Sequence, residues 1–268
     1  VELHIEVAPE TLWTLPFPGG ELRITNSFLT MLVVMAVLVL GGALIARSAT
    51  LIPGRLQSVV EMVVEFLLGV VEGSAGKRLG RQVFPLIGSL FIFIIVANYT
   101  GLLPGVGTFG LKREIAEAAG QHGGSTVAIV PLFRSPSADL NMTLSMALLS
   151  YLTFQILGIR SQGVRGRLKH MATPFFIFPI EVISELSRIV SLGFRLFGNI
   201  FAGETLMTVM YAIANAIKIT VVGLLVPVIF LYLEVLFGFI QALIFSILTL
   251  IYIVLAAGEA HGHGEAGH

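Results

Sequence analysis

The sequence predicts an all-α polytopic membrane protein. Composition and pattern both point there. Hydrophobic residues make up 56% of the 268 and charged residues only 12%, against roughly a quarter charged in a soluble domain. Several apolar runs reach the length of about 20 residues that crosses a bilayer as helix. Basic residues collect beside those runs, which orients them. Net charge is zero, so nothing suggests nucleic acid as a partner. There are no cysteines, hence no disulfide and no thiolate metal site. No internal repeat is evident, and residues 1–268 read as one membrane domain.

Residues 1–26 are polar and broken by Pro9, Pro16, Pro18, Gly19 and Gly20. They suit a segment outside the membrane. The first span, 27–46, carries no charge and is followed by Arg47. Pro53 and Gly54 then open an amphipathic helix over 53–76. Arg55, Ser58, Glu61, Glu65 and Glu72 line one side, and Val59, Val60, Met62, Val63, Phe66, Leu67 and Val70 fill the rest. That pattern places it flat on the membrane surface.

Lys77, Arg78 and Arg81 precede a second span, 83–103. Its Pro85 stands in the first turn, where proline is tolerated, and Asn98 to Gly101 make its far end polar. A Gly/Pro/charge loop, 104–138, leads to a third span, 140–159. Asp139 and Asn141 suit either a channel mouth or the N-cap of that span. Arg160, Arg165, Arg167 and Lys169 follow it. The basic clusters fall on one side if the surface helix does not cross, and by the positive-inside rule that side is the cytoplasm. The N-terminus and the 104–138 loop are then outside, and the C-terminus is cytoplasmic.

The last third is unusual. Residues 180–217 lack proline and any turn cluster; as helix they reach about 57 Å, and 225–257 reach about 50 Å. Both exceed the hydrocarbon thickness of about 30 Å. Two strongly tilted helices joined near Lys218 to Gly223 are predicted, and so much tilt needs a partner that follows the helix face. The His/Gly/Glu tail, 258–268, reads as disordered, with no metal assigned to His261, His263 or His268.

Within 180–217 lies SRIVSLGFRLFGNIFAGE, with Arg195 in the middle of an apolar helix. An arginine at bilayer depth costs about 2.5–3.5 kcal/mol on insertion scales, which marks it as functional. At about 100° per residue, Ser184, Ser191, Gly198 and Ala202 fall on its side, and Asn199, Arg188 and Glu181 lie within about 40° of it. Small residues beside a lone cation let another helix come close. Glu204 points the opposite way. Folding the two long helices back near residue 219 sets Glu204 against Glu234 and brings Arg195 within a turn of Gln241. Two carboxylates in a medium of low dielectric do not both ionise, which suits a proton relay. Glu181, Ser184 and Glu185 supply polar groups on the cytoplasmic side of the arginine. Arg188 suits a helical pair with Glu181 or Glu185.

The resemblance then becomes specific. SLGFRLFGNIFAGE and the downstream LEVLFGFIQALIF resemble subunit a of F-type ATP synthases, as do FPLIGSLFIFIIVANYTGLLPG at 84–105 and FRSPSADLNMTLSMAL at 133–148. Four separated blocks in order cover nearly the whole chain. The resemblance implies a proton-translocating stator subunit with two offset half-channels, not catalytic by itself. It implies that Arg195 is the stator arginine facing a rotor carboxylate. Asn199, Glu204, Glu234 and Gln241 match positions near the proton path, and Glu181 and Ser184 match the cytoplasmic half-channel. Implied partners are a c-ring of proteolipids, b-type peripheral-stalk subunits, the rest of the complex and the lipid bilayer, in a bacterial plasma (inner) membrane. No cofactor is implied. A secondary transporter would bring inverted repeats and broken helices, and neither is visible. A passive scaffold would not align titratable groups beside an arginine.

Overall fold

The computed structural model describes residues 9–17, 20–103, 106, 109–116, 125–172, 178–217 and 220–258. Five of its helices are long and apolar enough to cross a membrane, so the chain is a polytopic membrane protein. The 259–268 part of the predicted tail and the helix junction at 218–219 lie outside the described residues.

Two β-hairpins come before and between the helices, where only irregular segments were expected. Strands β1 (Thr11–Phe17) and β2 (Gly20–Thr25) pair antiparallel, as do β3 (Gly110–Ala116) and β4 (Ser125–Pro131). Both belong to segments predicted outside the membrane. There water can satisfy an open strand edge, which hydrocarbon cannot. The β-branched residues of STVAIVP favour the pleated form. The fold is therefore helical in its spans but not throughout.

Helix α1 (Asn26–Arg47) is capped by Thr25, whose Oγ1 accepts the amide of Phe28 at 3.2 Å. Helix α2 runs Arg55–Thr100 but is interrupted at Gly76, with φ 74° and ψ 162°. Only glycine adopts that backbone region readily. The interruption separates the acidic amphipathic stretch from the apolar one, at the end predicted for the surface helix. Arg81 reaches back across it to Glu72 at 2.8 Å. Helix α3 (Leu140–Ala172) breaks in the same way at Gly163, with φ 74° and ψ 159°. Helices α4 (Phe178–Ile217) and α5 (Thr220–Gly258) are the two long C-terminal elements.

The chain divides into two compact units. The first comprises Val1–Leu38, Ile95–Met142 and Phe197–Phe239; the second comprises Val39–Ile94, Thr143–Leu196 and Ile240–His268. In the first unit the hairpins are tied to helix ends. Asn26 Nδ2 donates to Pro131 O at 3.3 Å, and the Arg134 amide donates to Thr30 Oγ1 at 3.2 Å. These bonds join the first turns of α1 to the end of β4 and the connector after it. Asn98 Nδ2 donates to Gly238 O at 3.2 Å, and the Tyr99 hydroxyl donates to Val235 O at 3.1 Å. A Cβ at Gly238 would rest in van der Waals contact with the Tyr99 ring, 3.4 Å away.

The second unit has an apolar centre of Val71, Val83, Ile87, Phe154, Leu250, Ile253 and Ala256. Burying each large side chain of this kind stabilises by about 1.5–3 kcal/mol. One polar bond crosses it, from Thr249 Oγ1 to Ser150 Oγ at 3.3 Å.

Candidate functional site

Helix α4 presents an open face. Ser191, Arg195, Gly198, Asn199 and Ala202 are all exposed. Leu192, Leu196 and Ile200, on the other side, are buried. The helical period alone produces this division: the small residues and the cation share one side, the leucines and isoleucine the other. Arg195 forms no ion pair or hydrogen bond with another described residue. A Cβ added at Gly198 would meet nothing within 4 Å. A guanidinium at the centre of a long apolar helix is thus left pointing out of its own chain. That arrangement is costly in lipid and becomes favourable only against an anionic partner.

The opposite side of α4 carries Glu204 into the first unit. Its Oε2 accepts a hydrogen bond from Arg134 Nε at 3.3 Å, with the two side chains 26% and 13% exposed. The backbone of Ser135 adds another bond to the carboxylate. Arg134 is held there by the connector between β4 and α3, where Ser135 to Asp139 are all buried. Ser135 Oγ donates to Ala97 O at 3.1 Å.

Glu234, on α5, is 9% exposed, and its Oε2 is buried with no hydrogen-bond partner. It stands against α4 at Gly203: a Cβ on that glycine would lie 2.5 Å from Glu234 Oε1. Glu204 lies within electrostatic reach of Glu234. The carboxylates expected to meet across the long hairpin are therefore brought together, in the expected register. Asp139, in the same unit, accepts the Asn141 amide on Oδ1 at 2.9 Å. That is the N-cap of α3 and explains its burial.

The second unit holds the remaining polar groups. Glu181 and Ser184 are half-buried on the first turns of α4, and Gln241 on α5 is 1% exposed. Glu185 is the deeply buried acid here, at 3% exposed. Its Oε2 accepts the Tyr151 hydroxyl at 2.9 Å and Gln155 Nε2 at 2.6 Å. Arg188 does not take up the helical pairing with Glu181 or Glu185. Its guanidinium instead lies over the Tyr252 ring, 5.3 Å from the centroid, a cation–π contact. Ser150, Tyr151, Arg188 and Tyr252 help line one small pocket.

Sequence reasoning missed Arg134 and the Tyr151–Gln155–Glu185 cluster. The partner of Arg134 lies 70 positions away, beyond the reach of local pairing. A signal was present: an arginine next to a Ser-Pro-Ser turn that leads directly into a span. For Glu185 the period of α4 shows only that it shares a region with Glu181. The Tyr-x-x-x-Gln spacing on α3, one helical turn, is the trace of its partners.

Comparison with known proteins bears on this arrangement. The family model described as ATP synthase A chain matches residues 28–254. ATP synthase subunit a of Moorella thermoacetica is 34% identical over 196 residues, 73% of this chain and 77% of that protein. ATP synthase subunit a of Helicobacter pylori strain Shi470 is 32% identical over 199 residues, covering 72% and 75%. That of Helicobacter acinonychis shows the same identity and coverage.

Proposed function

This chain belongs to the ATP synthase A chain family, and from that premise we propose how its residues move protons. It is the proton-translocating stator subunit of an Fo sector, a non-catalytic membrane subunit of its complex. The single observation that carries the mechanism is the exposed Arg195, unpaired among the described residues, on the small-residue face of α4.

In this reading the face docks on a c-ring whose subunits each carry a membrane carboxylate. A proton entering from outside passes the Glu204/Glu234 pair and neutralises a ring carboxylate. Only the neutral site can turn through lipid, since the charged form is too costly there. After nearly a full turn the site meets the cytoplasmic half-channel, beside Glu181 and Ser184, and loses its proton. Arg195 stands between the two paths. It attracts the ionised carboxylate, forces deprotonation before a site passes, and blocks direct leakage. Arginine suits this because it does not deprotonate in proteins, whereas a buried lysine does. Asn199 lies one turn from Arg195 on the exposed face, and Gln241 is buried on α5; both sit near the path. The driving force is about 2.3 kcal/mol per charge for each 100 mV, plus any pH difference.

The amphipathic part of α2 supports a surface position, with Leu56 80% and Met62 69% exposed. Contact with b-type stalk subunits and residence in a bacterial inner membrane, N-terminus outside, complete the reading. The long α4 and α5 are taken to lie strongly tilted.

Arg195→Ala tests it in the intact complex. ATP-coupled proton pumping is lost while the complex stays assembled; normal pumping refutes the arginine's role. Cysteines at 191 or 198 cross-link to a ring subunit, and efficient cross-links only from the Leu192/Leu196 side reverse the docking face.

A further inference from the structure

The Arg134 guanidinium beside the two carboxylates has no part in the mechanism above. Arg134 comes from the connector before α3, outside the spans, and its Nε–H donates to Glu204 Oε2 at 3.3 Å. Both side chains are largely removed from solvent. Glu234 receives nothing comparable: its Oε2 is buried with no donor. The other polar side chains around α5 here are engaged with backbone, Asn98 with Gly238 O and Tyr99 with Val235 O. Asp139 is occupied as a cap. Arg134 thus ion-pairs with Glu204, which in turn lies within electrostatic reach of Glu234.

We propose that Arg134 is the positioning residue of the outer carboxylate pair: it holds Glu204 as its counter-ion and leaves Glu234 as the member that carries the transferred proton. Buried charges are tolerated when they balance and are expensive when one partner is missing. With Arg134 at +1 and Glu204 at −1, Glu234 completes a neutral site when it holds one proton. Passing that proton to a ring carboxylate leaves one net negative charge, which draws in the next proton from the outer side. No second proton is needed, and none is stored. Glu204 then acts through its charge rather than as a relay. This inference rests on the proposed path through Glu204 and Glu234.

Charge counting supplies the test. Intact ATP synthase in vesicles is assayed for ATP-driven pumping and proton-driven synthesis, with subunit content checked by immunoblot. Arg134→Gln leaves Glu204 without its counter-ion, and Glu204→Gln leaves an unbalanced cation beside the inlet. Each lowers flux at least tenfold. The double variant, Arg134→Gln with Glu204→Gln, restores the net charge of the native site and recovers flux above either single variant. Arg134→Lys keeps the charge and stays within about threefold of wild type. A double variant slower than both singles, or Arg134→Lys as impaired as Arg134→Gln, overturns the inference while leaving the path intact. Unchanged flux in Glu204→Gln alone instead removes the path itself. If Arg134→Gln does not assemble, assembly and pumping by the double variant support the charge role. If neither assembles, Arg134→Lys decides by the same threefold criterion.

Discussion

Gly203 and Glu234 form one contact between α4 and α5: the glycine leaves the space that the Glu234 carboxylate occupies. A Cβ at 203 would stand 2.5 Å from Oε1 and 2.9 Å from the carboxyl carbon. The glycine thus sets where the acid sits, one residue away from Glu204.

Gly203→Ala is expected to displace Glu234 rather than unfold the subunit. The atom it meets is the far end of a flexible side chain, which can rotate away. Overpacking of this kind costs about 1–3 kcal/mol. Proton flux through the complex falls several-fold while subunit content stays normal. Full flux in vesicles would show that Glu234 needs no fixed position.

Two glycines on α4 should behave oppositely. A Cβ at Gly193 would meet Leu144 Cδ2 at 2.8 Å, Leu144 Cα at 3.3 Å and Thr143 O at 3.4 Å. Backbone cannot step aside, so Gly193→Ala separates α3 from α4 and lowers the amount of assembled subunit. At Gly198 the chain itself leaves space, with nothing within 4 Å. Gly198→Leu leaves the free subunit's thermal stability unchanged but reduces ring docking and pumping. Normal pumping by Gly198→Leu would remove this face from the rotor interface.

Gly76→Ala places a side chain at φ 74° and ψ 162°, at a cost of about 1–3 kcal/mol. Nothing crowds the site, so the penalty is purely one of backbone. The expected result is a lower melting temperature of the purified complex, or a straightened α2 that impairs assembly. Wild-type stability would show that the interruption at 76 relaxes without loss.

Tyr151→Phe removes one of the donors to Glu185 and leaves Gln155 Nε2 on the same oxygen. Loss of a hydrogen bond of this kind costs about 0.5–1.5 kcal/mol. Subunit stability falls by an amount in that range, and Glu185→Gln in the same background restores part of it. Additive losses in the double variant would show that the tyrosine does not act through Glu185.

Much of this molecule was written locally. The spans follow from runs of apolar residues, because hydrocarbon requires every backbone group to bond within its own segment. The exposed cation on α4 follows from the helical period, which puts Arg195 with Ser191 and Gly198 and sends Leu192 and Leu196 to the other side. The approach of Glu204 and Glu234 follows from folding two helices of known rise about one junction.

Other features depended on residues far apart in the chain. The hairpins at 11–25 and 110–131 were unreadable from polarity and turn residues alone, since strand pairing is decided by the partner edge. Arg188 shows the limit of local reasoning: two acids stood at helical spacing, yet it lies over Tyr252 on another helix. The linear order identified an apolar chain built around one arginine, because solvent preference and helical period act residue by residue. Only the tertiary structure assigned Arg134 to Glu204 and Tyr151 to Glu185, because a buried charge is matched by whatever donor the packing brings near, at any distance along the chain.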